Sequence, residues 1–216
     1  MRVLITAGPT REFIDDVRFL SNASSGRMGC ALAQAARAAG AEVTFVCGPV
    51  ACDPPDCDLR VDVVSAEDMR RAVLEHAPQA DAVLMAAAVA DYRPAQRIPG
   101  KLKKADEDRV LPLARTPDIL AELGAQKGRR IHVGFALEVE NARQNALRKL
   151  REKNCDLIVL NGPGAMGATH ASVELLFAGG ESEKLGDLSK AEIARRIICA
   201  VMALHRNAQG SDDGQG

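Results

Sequence analysis

The chain is poor in aromatic residues. They make up 3% of its 216 residues, with one Tyr, five Phe and no Trp. That is too few rings for a surface that stacks successive unpaired bases. Net charge is also small, at −1, which argues against the basic field of a general nucleic-acid binder. No apolar run approaches the ~20 residues of a membrane-spanning helix. Arg2 leads straight into a short apolar strand rather than into a secretory leader. The six cysteines are scattered at 30, 47, 52, 57, 155 and 199. Cys52 and Cys57 share a proline-rich loop, but no second Cys or His pair stands at zinc spacing. Cys30, Cys47 and Cys199 fall inside apolar patterns, where a free thiol acts as a small core residue. Reduced thiols in a cytoplasmic protein are the simplest reading.

The chain is rich in short apolar strands alternating with helical patterns. Hydrophobic residues make up 47%, and the length suits one sizeable core and is marginal for two. Residues 2–6, 42–47, 61–64, 81–86, 131–136 and 156–160 read as strands. Residues 26–39, 66–76, 140–153 and 189–206 read as helices, as does a segment capped by Thr116 with Pro117 at its first position. Ser65, with Asp68 three residues on, marks the start of the 66–76 helix. A short strand is expected near 110–113, and another at 172–177 before a turn at Gly179–Gly180. This alternation predicts an α/β fold: one domain over 1–206 with a Rossmann-like, doubly wound and mostly parallel sheet, and a disordered tail over 207–216. In such sheets ligands bind at the carboxyl ends of the strands. The loops after 2–6, 81–86 and 131–136 all fall at that edge.

The first of those loops is the most informative stretch. After the strand at 2–6 come Gly8 and Pro9, yet a helical pattern begins only near Gly26. The connection far exceeds the ~2–6 residues usual between strand and helix. It carries Thr10, Arg11, Glu12, Asp15, Asp16, Arg18, Asn22, Ser24 and Ser25. Such a density of hydrogen-bonding groups beside a helix N-terminus is how an anion site is built. The unit lacks G-x-G-x-x-G, which counts against an NAD(P)-dependent oxidoreductase. That reading and a non-catalytic nucleotide-binding module are the alternatives to an enzyme of another class.

The stretch GPTREFIDDVRFLSNASSGRMG (8–29) resembles the opening motif of the phosphopantothenoylcysteine synthetases, or phosphopantothenate–cysteine ligases. These form the ligase domain of the bacterial coenzyme A biosynthesis flavoproteins. The resemblance continues in AAAVADYRP (86–94), KLKK (101–104), TPDIL (116–120), VGFALE (133–138) and KLREKNCDLIVLN (149–161). Five further motifs in one order are more specific than any single glycine pattern. The implied reaction joins 4′-phosphopantothenate to L-cysteine through an acyl-cytidylate, with CTP as co-substrate and Mg2+ carried by the nucleotide. Other implied features are a homodimer and a separate or fused flavin-dependent decarboxylase.

Each residue the resemblance singles out also has a plainer reading. Asn22 reads by spacing as a turn and helix cap; the resemblance places it at the acyl-nucleotide intermediate, where a neutral amide donates without adding charge. Ser24, Ser25, Gly26 and Met28 stand at a helix start suited to phosphate. The small residues around Ala88 permit close backbone approach, and Asp91 is either a turn residue or an acceptor for the cytidine. Lys101 belongs to a three-lysine cluster that usually marks a solvated face; the resemblance makes it a catalytic and nucleotide contact. Thr116, Pro117, Asp118 and Ile119 are accounted for by a helix cap, and the resemblance adds a nucleotide contact. Phe135 reads as core, and the resemblance packs it on the nucleotide. Lys149 and Lys153 share one helix face, either solvated or, by resemblance, turned to the nucleotide. The chain departs from the family pattern at Arg27, Thr116, Val139 and Gly162, where Lys, Asn, Thr and Asp are usual. It also lacks the family's Asn within 164–172.

Overall fold

The computed structural model describes residues 1–50, 52–53, 55–104, 108–138, 140–162 and 170–210. The chain opens with β1 (Arg2–Ala7), a hairpin of β2 (Arg11–Phe13) and β3 (Phe19–Ser21), α1 (Arg27–Ala38), β4 (Glu42–Cys47), β5 (Leu59–Asp62) and α2 (Ala66–His76). It continues through β6 (Ala82–Met85), β7 (Tyr92–Pro94), β8 (Leu113–Arg115), α3 (Ile119–Ala125), β9 (Ile131–Leu137) and α4 (Ala142–Glu152). It closes with β10 (Leu157–Asn161), β11 (His170–Phe177), β12 (Ser182–Ser189) and α5 (Lys190–Gly210).

Eight strands form one sheet in the order β12-β11-β10-β9-β6-β1-β4-β5. The six from β10 to β5 are parallel, and β11 and β12 add an antiparallel edge. The parallel part has the doubly wound order, with its reversal of direction between β1 and β6. The strands are apolar on both faces because helices cover both. Val3 and Ile5 pack with α1 and α5 on one face. Leu4 and Val83 pack with α2, α3 and α4 on the other. α1 lies very close to β1: a Cβ at Gly29 would stand 2.4 Å from the Cβ of Ala7.

The predicted fold class and parallel strands stand, and the capping box at Ser65 and Asp68 is formed. Several local expectations need correction. The long connection after β1 holds a feature the sequence reading did not include, the β2–β3 hairpin. Phe13 and Phe19 meet edge to face at 5.6 Å, with the Arg11 guanidinium 4.6 Å over the Phe19 ring. The strand expected near 110–113 lies at Leu113–Arg115 and pairs with β7, which local patterning did not suggest. α3 is capped by Asp118, whose carboxylate accepts from the Ala121 N–H at 2.9 Å, not by Thr116. β12 was unforeseen because among its residues only Leu185 is buried, so it shows no apolar pattern; charged side chains are typical of a sheet edge. α5 runs to Gly210, beyond the predicted boundary at 206, and 211–216 lie outside the described residues. So do Val139 and residues 163–169, which hold most of the 164–172 departure. Cys199, placed in the core by pattern, is exposed, whereas Cys30, Cys47 and Cys155 are buried.

Candidate functional site

The main chain leaving β6 is stitched to the long connection after β1. The Ala87 N–H donates to Thr6 Oγ1 at 3.0 Å, the Ala88 N–H to the Gly8 carbonyl at 2.9 Å, and the Ala90 N–H to Thr10 Oγ1 at 3.0 Å. Buried threonines thus take up N–H groups that a sheet edge would leave open. From the far side of the connection, Asn22 Nδ2 donates to the carbonyls of Ala88 and Val89, at 3.0 and 3.1 Å. Asn22 is therefore a clasp on the loop after β6, and the helix-cap reading is set aside: the N-cap of α1 is Gly26, with no side-chain cap.

Gly26 has φ +76°, a left-handed value that suits glycine. A Cβ there would stand 2.2 Å from Val50 Cγ1. The loop after β4 therefore packs directly on the start of α1. The helix opens into a cavity of 210 Å3 lined by Ser24, Ser25, Gly26, Arg27, Met28, Ala88, Phe135, Asn161 and Lys190. A second cavity of 760 Å3 lies towards α3 and α4. It is lined by Asn22, Ala88, Asp91, Arg115, Thr116, Pro117, Asp118, Ile119, Phe135, Lys149 and Lys153. Ala87, Ala88, Phe135 and Leu137 line both. The cavities therefore meet over the carboxyl ends of β6 and β9.

The second cavity holds its cations in two ways. Lys149 is half-buried, and its ammonium donates to the Phe135 carbonyl at 2.6 Å. Burial pushes its pKa below the ordinary lysine value, with Cys155, Glu138 and Asp118 acting in the opposite sense. Lys153, at the end of α4, forms an ion pair with Asp118. Burial raises the Asp118 pKa, but the hydrogen bonds from Lys153 and the Ala121 N–H outweigh it and the carboxyl stays below its usual value. Thr116 Oγ1 donates to the Ala90 carbonyl at 2.5 Å, so its hydroxyl ties two loops of the site together.

Every site residue taken from the resemblance except Lys101 lines one of these cavities, whereas Thr10, Arg11, Glu12, Asp15, Asp16 and Arg18 of the long connection line neither. Lys101 is exposed on a turn held by the β2–β3 hairpin. The Gly100 N–H donates to Asp16 at 2.8 Å and the Leu102 N–H to Asp15 at 3.0 Å. Asp15 is itself buried, and Arg18 beside it holds its carboxyl well below the usual carboxylate range. The site also contains Lys190, Asn161 and Arg115, which sequence reasoning did not choose. Arg115 directly precedes a chosen segment. Lys190 follows no local pattern, because its neighbours in the site lie at the other end of the chain.

Residues 1–204 match the family described as DNA/pantothenate metabolism flavoprotein C-terminal domain. The chain belongs to this family. Among its relatives, "Cysteine/Cysteine sulfinic acid decarboxylase" of an unknown prokaryotic organism is 45% identical over 209 residues, covering 94% of this chain and 58% of the relative. "Coenzyme A biosynthesis bifunctional protein CoaBC" of Bacillus subtilis (strain 168) is 44% identical over 209 residues, covering 94% and 52%. The chain thus spans about half the length of the curated relatives it matches. The crystal structure of the C-terminal domain of a CoaBC protein superposes with a TM-score of 0.83 at 42% identity, over 95% of this chain and 96% of that one. A complex described as "Cab2 mutant H337A complex with phosphopantothenate-cysteine" shares the fold alone, with a TM-score of 0.76 at 18% identity over 98% and 88%. The family's C-terminal domain and the single α/β domain seen here are the same architecture.

Proposed function

We propose that this chain is a phosphopantothenate–cysteine ligase that uses CTP. The carboxylate of 4′-phosphopantothenate attacks the α-phosphorus and pyrophosphate leaves, giving an acyl-cytidylate. The amine of L-cysteine then attacks the acyl carbon and CMP leaves, giving 4′-phosphopantothenoylcysteine. The observation that carries this reading is the pair of cavities meeting at Ala88 and Phe135, with Asn22 on the wall of the larger one. One opens on a helix N-terminus and the other on Lys149, Lys153 and Asp118, an arrangement suited to two substrates reacting at a shared seam. Relatives named for coenzyme A biosynthesis support the same reading.

The residues divide the work. Ser24, Ser25, Gly26 and Met28 offer a helix start for phosphate. Asp91, Thr116, Pro117, Asp118, Ile119, Phe135, Lys149 and Lys153 bind the rest of the nucleotide. Both amide hydrogens of Asn22 are engaged by the Ala88 and Val89 carbonyls, so donation to an acyl or phosphoryl oxygen exchanges one of these bonds. Among the described residues no cluster of three His, Cys, Asp or Glu forms a metal cage. Mg2+ in this reading arrives on the triphosphate and offsets its charge. Lys101 lies outside both cavities of its own chain, which supports a homodimer in which it completes the partner's site and stabilises charge as the amine attacks. The bifunctional relatives support a flavin-dependent decarboxylase, fused or separate, as the source of the next step. A cytoplasmic location belongs to the same reading. No helix among the described residues is long and apolar enough to cross a membrane.

Pyrophosphate release with CTP, 4′-phosphopantothenate and L-cysteine tests the reaction. Release that requires CTP and phosphopantothenate and is faster with CTP than with ATP is expected. Equal or faster release with ATP overturns the nucleotide assignment. No release, with hydride transfer from NAD(P)H instead, overturns the ligase and favours an oxidoreductase; binding without turnover favours a silent module.

A further inference from the structure

Cys30, Cys47, Cys52 and Cys57 belong to or pack against one core cluster, where the loop after β4 meets α1. Cys30 lies in the first turn of α1 and is buried. Cys52 lies in the loop and is half-buried. Their sulfurs stand 3.0 Å apart, although the two residues are 22 positions apart in the chain. The other two thiols are placed differently. Cys47 is buried and donates to the Gly48 carbonyl at 3.2 Å, and Cys57 is half-buried with no sulfur contact among the described residues.

The loop is anchored on either side of Cys52. At its start the Gly48 N–H donates to the Ala7 carbonyl at 3.0 Å. At its end the Asp58 carboxylate accepts from Arg37 of α1 and from the Val43 N–H, both at 2.7 Å. Between these anchors the Cys52 thiol donates to the Ser25 carbonyl at 3.8 Å. The sulfur of Cys52 is therefore held against the start of α1. A disulfide needs about 2.05 Å between sulfurs, so closing the pair from 3.0 Å asks for about 1 Å of movement. The two thiols differ in reach. Burial, and then the hydrogen bond with Cys52, push the Cys30 thiol above its ordinary pKa. Cys52 is the member open to solvent, and an oxidant meets it first.

We propose that Cys30 and Cys52 are a reversible oxidation site that closes to a disulfide and ties the loop after β4 to the start of α1. Hydrogen peroxide is the oxidant. The Cys52 sulfur attacks one peroxide oxygen, the O–O bond breaks, and a sulfenic acid and one water form. The Cys30 sulfur then attacks the Cys52 sulfur. The S–O bond breaks, and the departing hydroxide takes the Cys30 proton as a second water. Two thiols lose two electrons and one peroxide becomes two waters. A dithiol reverses the bond by exchange. A transient disulfide of this kind is compatible with a reducing compartment. Closure removes the proton that Cys52 offers to the Ser25 carbonyl. Val50 already fills the space beside Gly26, where a Cβ would stand 2.2 Å from it. The movement therefore falls on Ser25 and the first turn of α1, which line the smaller cavity. This consequence rests on the ligase reading, in which that turn receives phosphate: oxidation weakens CTP binding.

Peptide mapping of the whole chain tests the bond. Reduced protein is treated with hydrogen peroxide, its free thiols are blocked, and it is digested without reduction. Trypsin leaves Cys30 on residues 28–37, and Cys47, Cys52 and Cys57 together on 38–60. The two peptides should appear linked, with fragmentation placing the bond at Cys52, and dithiothreitol should separate them. Cys57→Ser should keep the link, whereas Cys52→Ser and Cys30→Ala should lose it. Should Cys30→Ala not fold, Cys52→Ser in the loop carries the test. No link, a link that survives in Cys52→Ser, or a bond closed within 38–60 overturns the site. Titration calorimetry with CTP then reads the consequence. Oxidised wild type should bind roughly three- to ten-fold more weakly than reduced, the scale of one neutral hydrogen bond. Dithiothreitol should restore the affinity, and peroxide should leave Cys52→Ser unchanged. Equal affinity of the oxidised and reduced forms overturns the effect on the site. Reduced protein that binds no CTP sinks the ligase reading and this effect with it, while a mapped link still upholds the oxidation site.

Discussion

Lys149 reaches from α4 to the main-chain carbonyl of Phe135, 2.6 Å away, across the edge where β9 ends. The lysine is thereby held over the larger cavity by a backbone atom rather than by a carboxylate, and its charge is not cancelled. Lys153, one turn on, is instead paired with Asp118. Two lysines on one helix face thus stand in different electrostatic states.

Replacing either lysine by Gln should weaken CTP binding more than phosphopantothenate binding. The loss for Lys149→Gln should be the larger, on the order of 1.5–3 kcal/mol for a hydrogen bond to a charged group. Lys153 already shares its charge with Asp118, and breaking a partly exposed pair costs little stability, ~0–1 kcal/mol. Titration calorimetry of both variants with CTP checks this. Unchanged affinity in both returns the lysines to a solvated face.

Asn22→Ala should impair the reaction while leaving the fold intact. It removes two hydrogen bonds to the loop after β6, each worth about 0.5–1.5 kcal/mol, from an exposed residue outside the core. The melting temperature should fall by a few degrees at most. Quenched reactions followed by mass spectrometry should show the acyl-cytidylate released or left unconsumed. Normal turnover removes Asn22 from the active site.

The stability of the fold should decline between pH 6.5 and about 4 through His132. This residue is fully buried in β9, and neither ring nitrogen has a hydrogen-bond partner among the described residues. Burial, then the charges of Lys127 and Arg130, lower its pKa from 6.5 to about 4, with Asp156 opposing. The unfolded chain takes up the proton as pH falls through 6.5 and the folded chain does not, so the unfolded state binds more protons across the window. Stability is complete above 6.5 and is lost on acidification, by roughly 3 kcal/mol once pH reaches the folded value. Denaturant midpoints at pH 7.5 and 5 should differ accordingly, and His132→Leu should flatten the dependence. Equal slopes in wild type and variant would falsify the assignment. Asp15 and Asp118, whose pKa values are lowered, titrate below this window.

If the site is shared between subunits, inactive variants should complement each other. Light scattering should give twice the single-chain mass of 23.0 kDa. Mixing Asn22→Ala with Lys101→Gln should regain part of the activity, because a mixed dimer keeps one site with both residues intact. A dimer without complementation removes Lys101 from the partner's site; a fully active monomer removes the dimer as well.

Local pattern alone determined the parallel strands, most helix limits and the Ser65 cap. These depend on neighbours in the chain: apolar runs for strands buried on both faces, helical periodicity, side chains that cap their own backbone. The residues chosen for the site came from motifs that resemble a known family, and local pattern by itself left each of them a plainer reading. The motifs were legible because each is a continuous run of the chain. Tertiary structure decided the rest. The β2–β3 hairpin and the β7–β8 ribbon are three-residue strands, too short for a period to show. β12 is a polar edge whose pairing comes from β11 rather than from its own residues. Asn22 turned from cap to clasp because its partners, Ala88 and Val89, are brought to it by β1 and β6 lying side by side. Lys101 left its own chain's cavities because Asp15 and Asp16 hold its turn elsewhere. Lys190 entered the site because two antiparallel strands return the chain to the edge where it began. No local window contains that relation, since proximity there is set by sheet order and not by distance along the chain.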